Sequence, residues 1–275
     1  MKLISNIAEL RACLHHERAI ALVPTMGNLH QGHLNLAKLA REHGSCVVAS
    51  IFVNPLQFGP SEDFADYPRT LEADCASLQG LADIVFAPAV KEMYPMQQTV
   101  FVEPPPIALE LCGAARPGHF KGMATVVLKL LNIVQPQVAL FGKKDYQQLH
   151  IIRQLAAQLN LPVRIAGCET VRAADGLALS SRNLYLTERE RSEAAFLYQM
   201  LQHMRQAILQ GERNFERLRQ QTVEALAARG WCVDYVEVRN QSDLQQANQL
   251  QLVVLAAARL GKTRLLDNVE VCLTD

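Results

Sequence analysis

Short apolar runs, separated by amphipathic stretches of helical length, organise the first two thirds of the chain. The runs cover residues 19–23, 46–53, 84–86, 100–102, 138–141 and 163–165, each of strand length. Between them, apolar positions recur three and four apart. Leu34, Leu36, Ala37, Leu39 and Ala40 set the phase of a helix over 34–43 that ends at Gly44. Other helices are predicted over 71–78 with Thr70 as cap, over 123–134 up to Pro136, and over 146–160. Asn6, with Glu9 three residues on, opens a short helix to about His16 as a capping box. Continuous apolar strands alternating with helices predict a parallel sheet covered on both faces.

The pattern changes after about Val171. Ala174-Asp175-Gly176 reads as a hairpin turn. Thr187 and Glu190 form a second capping box, opening a long polar helix to about Gln210, and a further helix over 215–229 ends at Gly230. Strands follow at 233–238, 252–257 and 263–267, the first alternating charged and apolar side chains. The expected fold is α/β: a doubly wound, Rossmann-like parallel sheet over 1–170 with a smaller C-terminal α+β domain over 171–275.

Composition and charge narrow the choices. Of 275 residues, 49% are apolar, enough for a sizeable core. Lys plus Arg and Asp plus Glu both number 27, which argues against a broad electrostatic grip on nucleic acid. The seven cysteines are scattered, odd in number and form no Cys-x-x-Cys, as expected of free thiols in a reducing compartment. No apolar signal region follows Met1 and no uncharged run reaches transmembrane length, so a cytoplasmic protein without membrane contact is expected.

Candidate chemistry centres on Pro24-Thr25-Met26-Gly27-Asn28-Leu29-His30-Gln31-Gly32-His33, which joins the first long strand to its helix. Glycine lets backbone approach a ligand closely. A helix N-terminus offers N–H groups and a partial positive charge, which suits a phosphate. His30 and His33 can then face one anion, although a pair of surface histidines in an ordinary loop has the same spacing. Two other unusual loops, at 54–58 and 142–145, also follow strands. In an open parallel sheet, ligands bind beyond the carboxyl ends of the strands. Ser180 to Arg182, at the root of the second domain, could close over these loops, making that domain a lid.

The His-x-Gly-His pattern after a strand resembles the signature of the nucleotidyltransferase superfamily. A wider set then comes into view: the 24–33 stretch, Val53-Asn54-Pro55-x-Gln57-Phe58, Tyr67-Pro68-Arg69-Thr70, Arg116-Pro117-Gly118-His119-Phe120, Lys144-Asp145-Tyr146-Gln147-Gln148 and Ser180-Ser181-Arg182-Asn183. Together these look like the pantothenate synthetase (pantoate–β-alanine ligase) family, in order, over about the first two thirds of the chain. Asn28 and Gln31 stand where alanine and glutamate are usual in that family, Lys143 where an acidic or amide residue is common, and Leu179 where methionine is common.

The resemblance implies an ATP-dependent, Mg²⁺-requiring condensation of pantoate with β-alanine through a pantoyl adenylate, releasing pyrophosphate and then AMP, by a homodimer. It implies ATP contacts from Met26, Gly27, Asn28, Leu29, His30, Gln31, Gly32 and His33, from Gly142, Lys143, Lys144 and Asp145, and from Val171, Leu179, Ser180, Ser181 and Arg182. Within this set, His30 and His33 would meet phosphate, His33 also acting as an acid. Lys144 would bridge phosphate oxygens, Ser180, Ser181 and Arg182 would hold the β,γ-phosphates, Asp145 would meet ribose, and Val171 would present backbone to adenine. Gln57 and Gln148 would bind pantoate, and Gln57 also β-alanine. Asp74 matches an aspartate beside the family's magnesium, although a plain first-turn helix aspartate fits equally. Arg116 and His119 are explained as readily by shaping their own loop as by a substrate role.

Two other readings compete. A nucleotidyltransferase acting on a phosphate ester would want more cations in its acceptor pocket than Gln57 and Gln148 supply. A nucleotide- or RNA-binding module without catalysis fits poorly with zero net charge and no aromatic-basic cluster.

Overall fold

The structure, a computed structural model, describes residues 1–60 and 62–273. It divides into two compact units: Met1–Lys143 with Gln148–Glu169, and Lys144–Gln147 with Thr170–Asp275.

The first unit is built on a six-stranded parallel sheet. Its strands are β1 (Lys2–Ile4), β2 (Ile20–Thr25), β3 (Cys46–Ile51), β4 (Ile84–Phe86), β5 (Val138–Gly142) and β6 (Arg164–Cys168), in the order β1-β4-β3-β2-β5-β6. Successive strand residues face opposite sides of a sheet. Val47 and Val48 are both fully buried, as are Ala21 and Leu22, so both faces are covered. Each valine or leucine side chain so placed contributes roughly 1.5–3 kcal/mol on burial. The helices are α1 (Ile7–Leu14), α2 (Gln31–Ala40), α3 (Leu71–Leu78), α4 (Val90–Met93), α5 (Cys112–Ala115) and α6 (His119–Val134). Helix α7 (Tyr146–Gln158) begins in the second unit and continues in the first. Strand order runs outward in one direction from β2 and in the other from β5. These two strands pair at Ala21–Val138 and Leu22–Ala139, which makes them the switch point of the sheet.

Several elements differ from the sequence expectation. Residues 2–4 form an unforeseen strand, held by parallel pairing with 84–86. Residues 100–102 are not a strand: Val100 is exposed, and the Val102 N–H donates to Thr125 Oγ1 at 3.1 Å. Helix α2 starts at Gln31 rather than Leu34, because His30 serves as its N-cap. Helix α6 starts at His119 rather than Met123, with Gly118 at φ 80° turning the chain into it. Asn6 caps α1 by accepting from Ala8 and Glu9 N–H, and the helix stops at Leu14. Thr70 occupies the N-cap position of α3, yet its hydroxyl donates to Asp74 Oδ1 at 3.2 Å instead of capping.

The second unit contains α8 (Glu188–Ala194), α9 (Phe196–Leu209), α10 (Phe215–Ala228), β7 (Trp231–Asn240), β8 (Gln251–Leu260) and β9 (Thr263–Cys272). The strands form an antiparallel sheet in chain order. The expected long helix is broken at Ala195, while Thr187 and Glu190 do form the reciprocal capping box. Leu197, Leu201, Met204 and Ile208 of α9 share a core with Val254, Ala256, Val269 and Val271 of the sheet. The fold is thus α/β with a small α+β unit. Among the described residues no helix is long and apolar enough to cross a membrane, and all seven cysteines are free.

Candidate active site

The turn after β2 is tied to both β3 and α3. Thr25 Oγ1 donates to Ser50 O at 2.8 Å and accepts the Gly27 N–H at 3.1 Å. Gly27 and Asn28 then take positive φ, 82° and 50°. A Cβ on Gly27 would lie 3.0 Å from both Asp74 Oδ2 and Ile51 Cγ2, so the position demands glycine for space as well as conformation. Asp74, in the first turn of α3, is only 3% exposed. Its Oδ2 accepts the Asn28 N–H at 2.9 Å and its Oδ1 the Leu29 N–H at 2.8 Å. A buried carboxylate is tolerated when such donors replace water, and here it holds the turn in shape.

Two imidazoles complete the turn. His30 Nδ1 accepts the Gly32 N–H at 3.1 Å, and His33 Nδ1 accepts the His30 N–H at 3.3 Å. The ring centroids are 4.1 Å apart. A main-chain N–H only donates, so both Nδ1 atoms carry lone pairs and the neutral rings hold their protons on Nε2. Histidine thereby does the capping usually left to Ser, Thr, Asp or Asn. The outcome is two Nε2–H donors beside the N-terminus of a ten-residue helix, an arrangement suited to phosphate oxygens.

The neighbouring loop after β3 is tied down from α6. Asn54, 1% exposed, donates to Gln57 Oε1 at 3.0 Å and Gly122 O at 3.2 Å, and accepts from the Tyr94 hydroxyl at 2.7 Å. A Cβ on Gly122 would lie 2.0 Å from Leu56 O, so α6 runs directly against this loop. Gln57 is buried, with its Nε2 directed at Met26 Sδ, 3.1 Å away. Arg116 forks onto Glu62 at 2.8 and 2.6 Å and donates to His119 Nε2 at 3.0 Å. His119 therefore donates from Nδ1 to Gln57 O at 2.9 Å. Burial opposes ionisation of Glu62, but the Arg116 guanidinium outweighs it and holds the carboxyl below its ordinary range. In the structure, Arg116 and His119 shape the loop that presents Gln57. Asn54, Tyr94 and Glu62 do as much for that loop, and sequence reasoning assigned them no role; only the Asn54-Pro55 motif hinted at one of them.

At the end of β5, Lys143 Nζ lies 2.6 Å from Glu169 Oε1. The extra cation of this sequence is thus paired within the first unit. Gln148 is half-buried on α7. In the second unit, Lys144 Nζ lies 3.7 Å from Asp145 Oδ2, and Lys144 O accepts from Asn268 Nδ2 at 2.9 Å. Val171 and Leu179 face each other across the hairpin, Leu179 N–H donating to Val171 O at 3.0 Å. Ser180 Oγ accepts the Arg182 N–H at 3.3 Å and starts a 3-10 turn over Ser181–Tyr185.

The described side chains form no ready-made cage for a magnesium ion. Asp74 is buried with both oxygens engaged by main-chain donors, and among the described residues no three His, Cys, Asp or Glu side chains converge to hold a metal. Mg²⁺ often binds largely through substrate phosphates and water, which requires no such cage.

Comparison with known proteins bears on this geometry. A family profile described as pantoate-beta-alanine ligase matches residues 2–270. The chain is 57% identical to the pantothenate synthetase of Methylobacillus flagellatus and 58% identical to that of Nitrosospira multiformis, in each case over 98% of both chains. Its fold is similar to the crystal structure of pantothenate synthetase from Thermus thermophilus, with a TM-score of 0.94 and 45% identity over 99% of this chain and 100% of that one. It is also similar to the pantoate-beta-alanine ligase of Francisella tularensis complexed with beta-gamma ATP and beta-alanine, with a TM-score of 0.82 and 36% identity over 98% of this chain and 97% of that one.

Proposed function

The chain belongs to the pantoate–β-alanine ligase family, and from that membership we infer that it joins pantoate to β-alanine in an ATP-dependent reaction. The observation that carries the reading to this chain's own residues is the pair of Nδ1-capped histidines, which sets two Nε2–H donors at the N-terminus of α2.

We propose two steps. A pantoate carboxylate oxygen attacks the α-phosphorus of ATP, forming a P–O bond as the bond to the bridging oxygen of pyrophosphate breaks. The β-alanine amine then attacks the acyl carbon of the adenylate, and AMP leaves with the C–O bonding pair as the amine loses its proton. His30 and His33 donate to phosphate oxygens, and Lys144 adds a positive charge where negative charge builds in the transition state. Gln57 donates to pantoate, exchanging a thioether acceptor, which is weak, for an oxygen. Gln148 makes a second amide contact, and Gln57 serves β-alanine in the later step. Ser180, Ser181 and Arg182 hold the departing pyrophosphate, Asp145 the ribose, and Val171 the adenine edge. Holding reactants together in this way is worth up to about 7–11 kcal/mol of a barrier when the reacting atoms are well aligned. Asp74 holds the 27–29 turn, and magnesium bound with ATP would offset the charge of the phosphates. A homodimer in the cytoplasm is proposed on family membership.

Pyrophosphate exchange tests the two-step order. With ATP, Mg²⁺ and pantoate but no β-alanine, labelled pyrophosphate should enter ATP. Omitting pantoate should abolish it, and adding β-alanine should release AMP. No exchange in a preparation that makes pantothenate would sink the free adenylate.

A further inference from the structure

Strand β9 carries a feature that no role above uses. Asn268 and Glu270 lie two residues apart, hence on one face of the strand. Both hold the start of α7: Asn268 Nδ2 donates to the main-chain oxygen of Lys144 at 2.9 Å, and the Tyr146 hydroxyl donates to Glu270 Oε1 at 2.9 Å. The adjacent residue grips the hairpin. Asp267, 4% exposed, receives both terminal nitrogens of Arg172 at 2.6 and 2.9 Å, and Arg172 also donates to Asn268 O at 3.2 Å and Gly176 O at 3.0 Å. The Arg172 guanidinium lies over the Tyr198 ring, 3.7 Å from its centroid. Arg172 directly follows Val171 and is bridged to Ala178, which directly precedes Leu179.

We propose that Asn268 is a positioning residue for Lys144, and that β9 is the strut setting the Lys144–Asp145 segment in register with the Val171–Leu179 hairpin. The inference rests on the reading of those two segments as nucleotide-binding. A lysine acts as a point charge on a flexible stem, so its placement at phosphate depends on how firmly its main chain is held. The Arg172–Asp267 fork fixes its own orientation, because two parallel N–H···O bonds leave the guanidinium less freedom than one. Asn268 passes that constraint to the Lys144 carbonyl through one hydrogen bond.

The test is Asn268→Asp, which keeps the side-chain shape but turns an acceptor toward a carbonyl. Asn268→Ala, which removes the donor without adding charge, is measured beside it and carries the test if the first variant folds poorly. Thermal melting establishes that each is folded. In pyrophosphate exchange, kcat/KM for ATP should fall about tenfold, as expected from one lost hydrogen bond plus a displaced cation, while KM for pantoate stays within about twofold. In a Lys144→Ala background the same change should add little, since coupled residues are not additive. Lys144→Ala alone separates the two ideas. If it leaves exchange intact, the phosphate role of Lys144 fails and this inference with it. If it lowers exchange while folded Asn268 variants retain normal ATP kinetics, or lose ATP and pantoate affinity equally, the strut fails and the Lys144 role stands.

Discussion

The carboxylate of Asp74 accepts the main-chain N–H of Leu29 at 2.8 Å, across 45 positions of sequence. Its other oxygen takes the neighbouring Asn28 N–H, so one side chain on α3 holds two consecutive amides of the histidine turn. Replacing Asp74 with Asn puts an NH₂ group against a donor. Charge-assisted hydrogen bonds of this kind are worth about 1.5–3 kcal/mol each. ATP binding, measured by calorimetry, should weaken by roughly ten- to a hundredfold, and by a similar factor in Mg²⁺ and in excess EDTA. A loss confined to the Mg²⁺ arm would make Asp74 a metal ligand.

His33 links helix capping to chemistry. His33→Ala should lower turnover about 10²–10³-fold, the cost of one preorganised donor at a charged transition state. It should also cost about 1 kcal/mol of stability through the lost cap. Near-normal kcat at saturating substrate, in a variant shown to be folded, would remove His33 from the mechanism.

Gly122 is a packing test of the Gln57 loop. The added methyl of Gly122→Ala meets main-chain oxygen, which no rotamer change relieves. Overpacking of this kind costs about 1–3 kcal/mol, readable in urea melts. The KM for pantoate should rise more than that for ATP. Equal effects on both would indicate general damage to the fold.

The Glu62–Arg116 fork predicts a pH signature. Glu62 titrates below its ordinary 4.5 when folded, so the stabilisation is complete above that value and is lost as pH falls through the lower folded one. Melting temperature between about pH 5 and about pH 3 should therefore fall less steeply in Glu62→Gln than in the parent. Superimposable profiles would mean the pair contributes nothing to folding.

What the sequence made legible follows from burial. Strands covered on both faces are apolar at nearly every position, so β2, β3 and β5 stand out as runs. Strand β1 leaves two of its three residues exposed and takes its register from pairing with β4, which no local pattern encodes. Residues 100–102 have strand composition but no ladder partner, and the chain stays irregular there. The histidine turn could be located from its strand, glycines and helix. That both Nδ1 atoms are spent on main-chain donors could not, because it depends on φ and ψ at His30. Asp74 carried two equal readings in sequence, and neither foresaw its bonds to the Asn28 and Leu29 amides, which lie 46 and 45 positions away. Asn268 fell just beyond the strand expected over 263–267 and carried no local signal, since its partner lies 124 positions away.

The seam between β2 and β5 has a cost during synthesis. The Ile20 N–H, at the start of β2, is satisfied by the Gln137 side chain 117 residues later. Until β5 has left the ribosome, β2 can pair on one side only, with β3, and an apolar parallel strand stands with an open edge. Contacts of such long range form slowly and leave the nascent chain open to mispairing. The place where the strand order reverses, and with it the ground on which the histidine turn rests, is therefore among the later parts of this unit to close. Slower translation before residue 142, or through the stretch that carries β5 out of the ribosome, would lengthen that exposure.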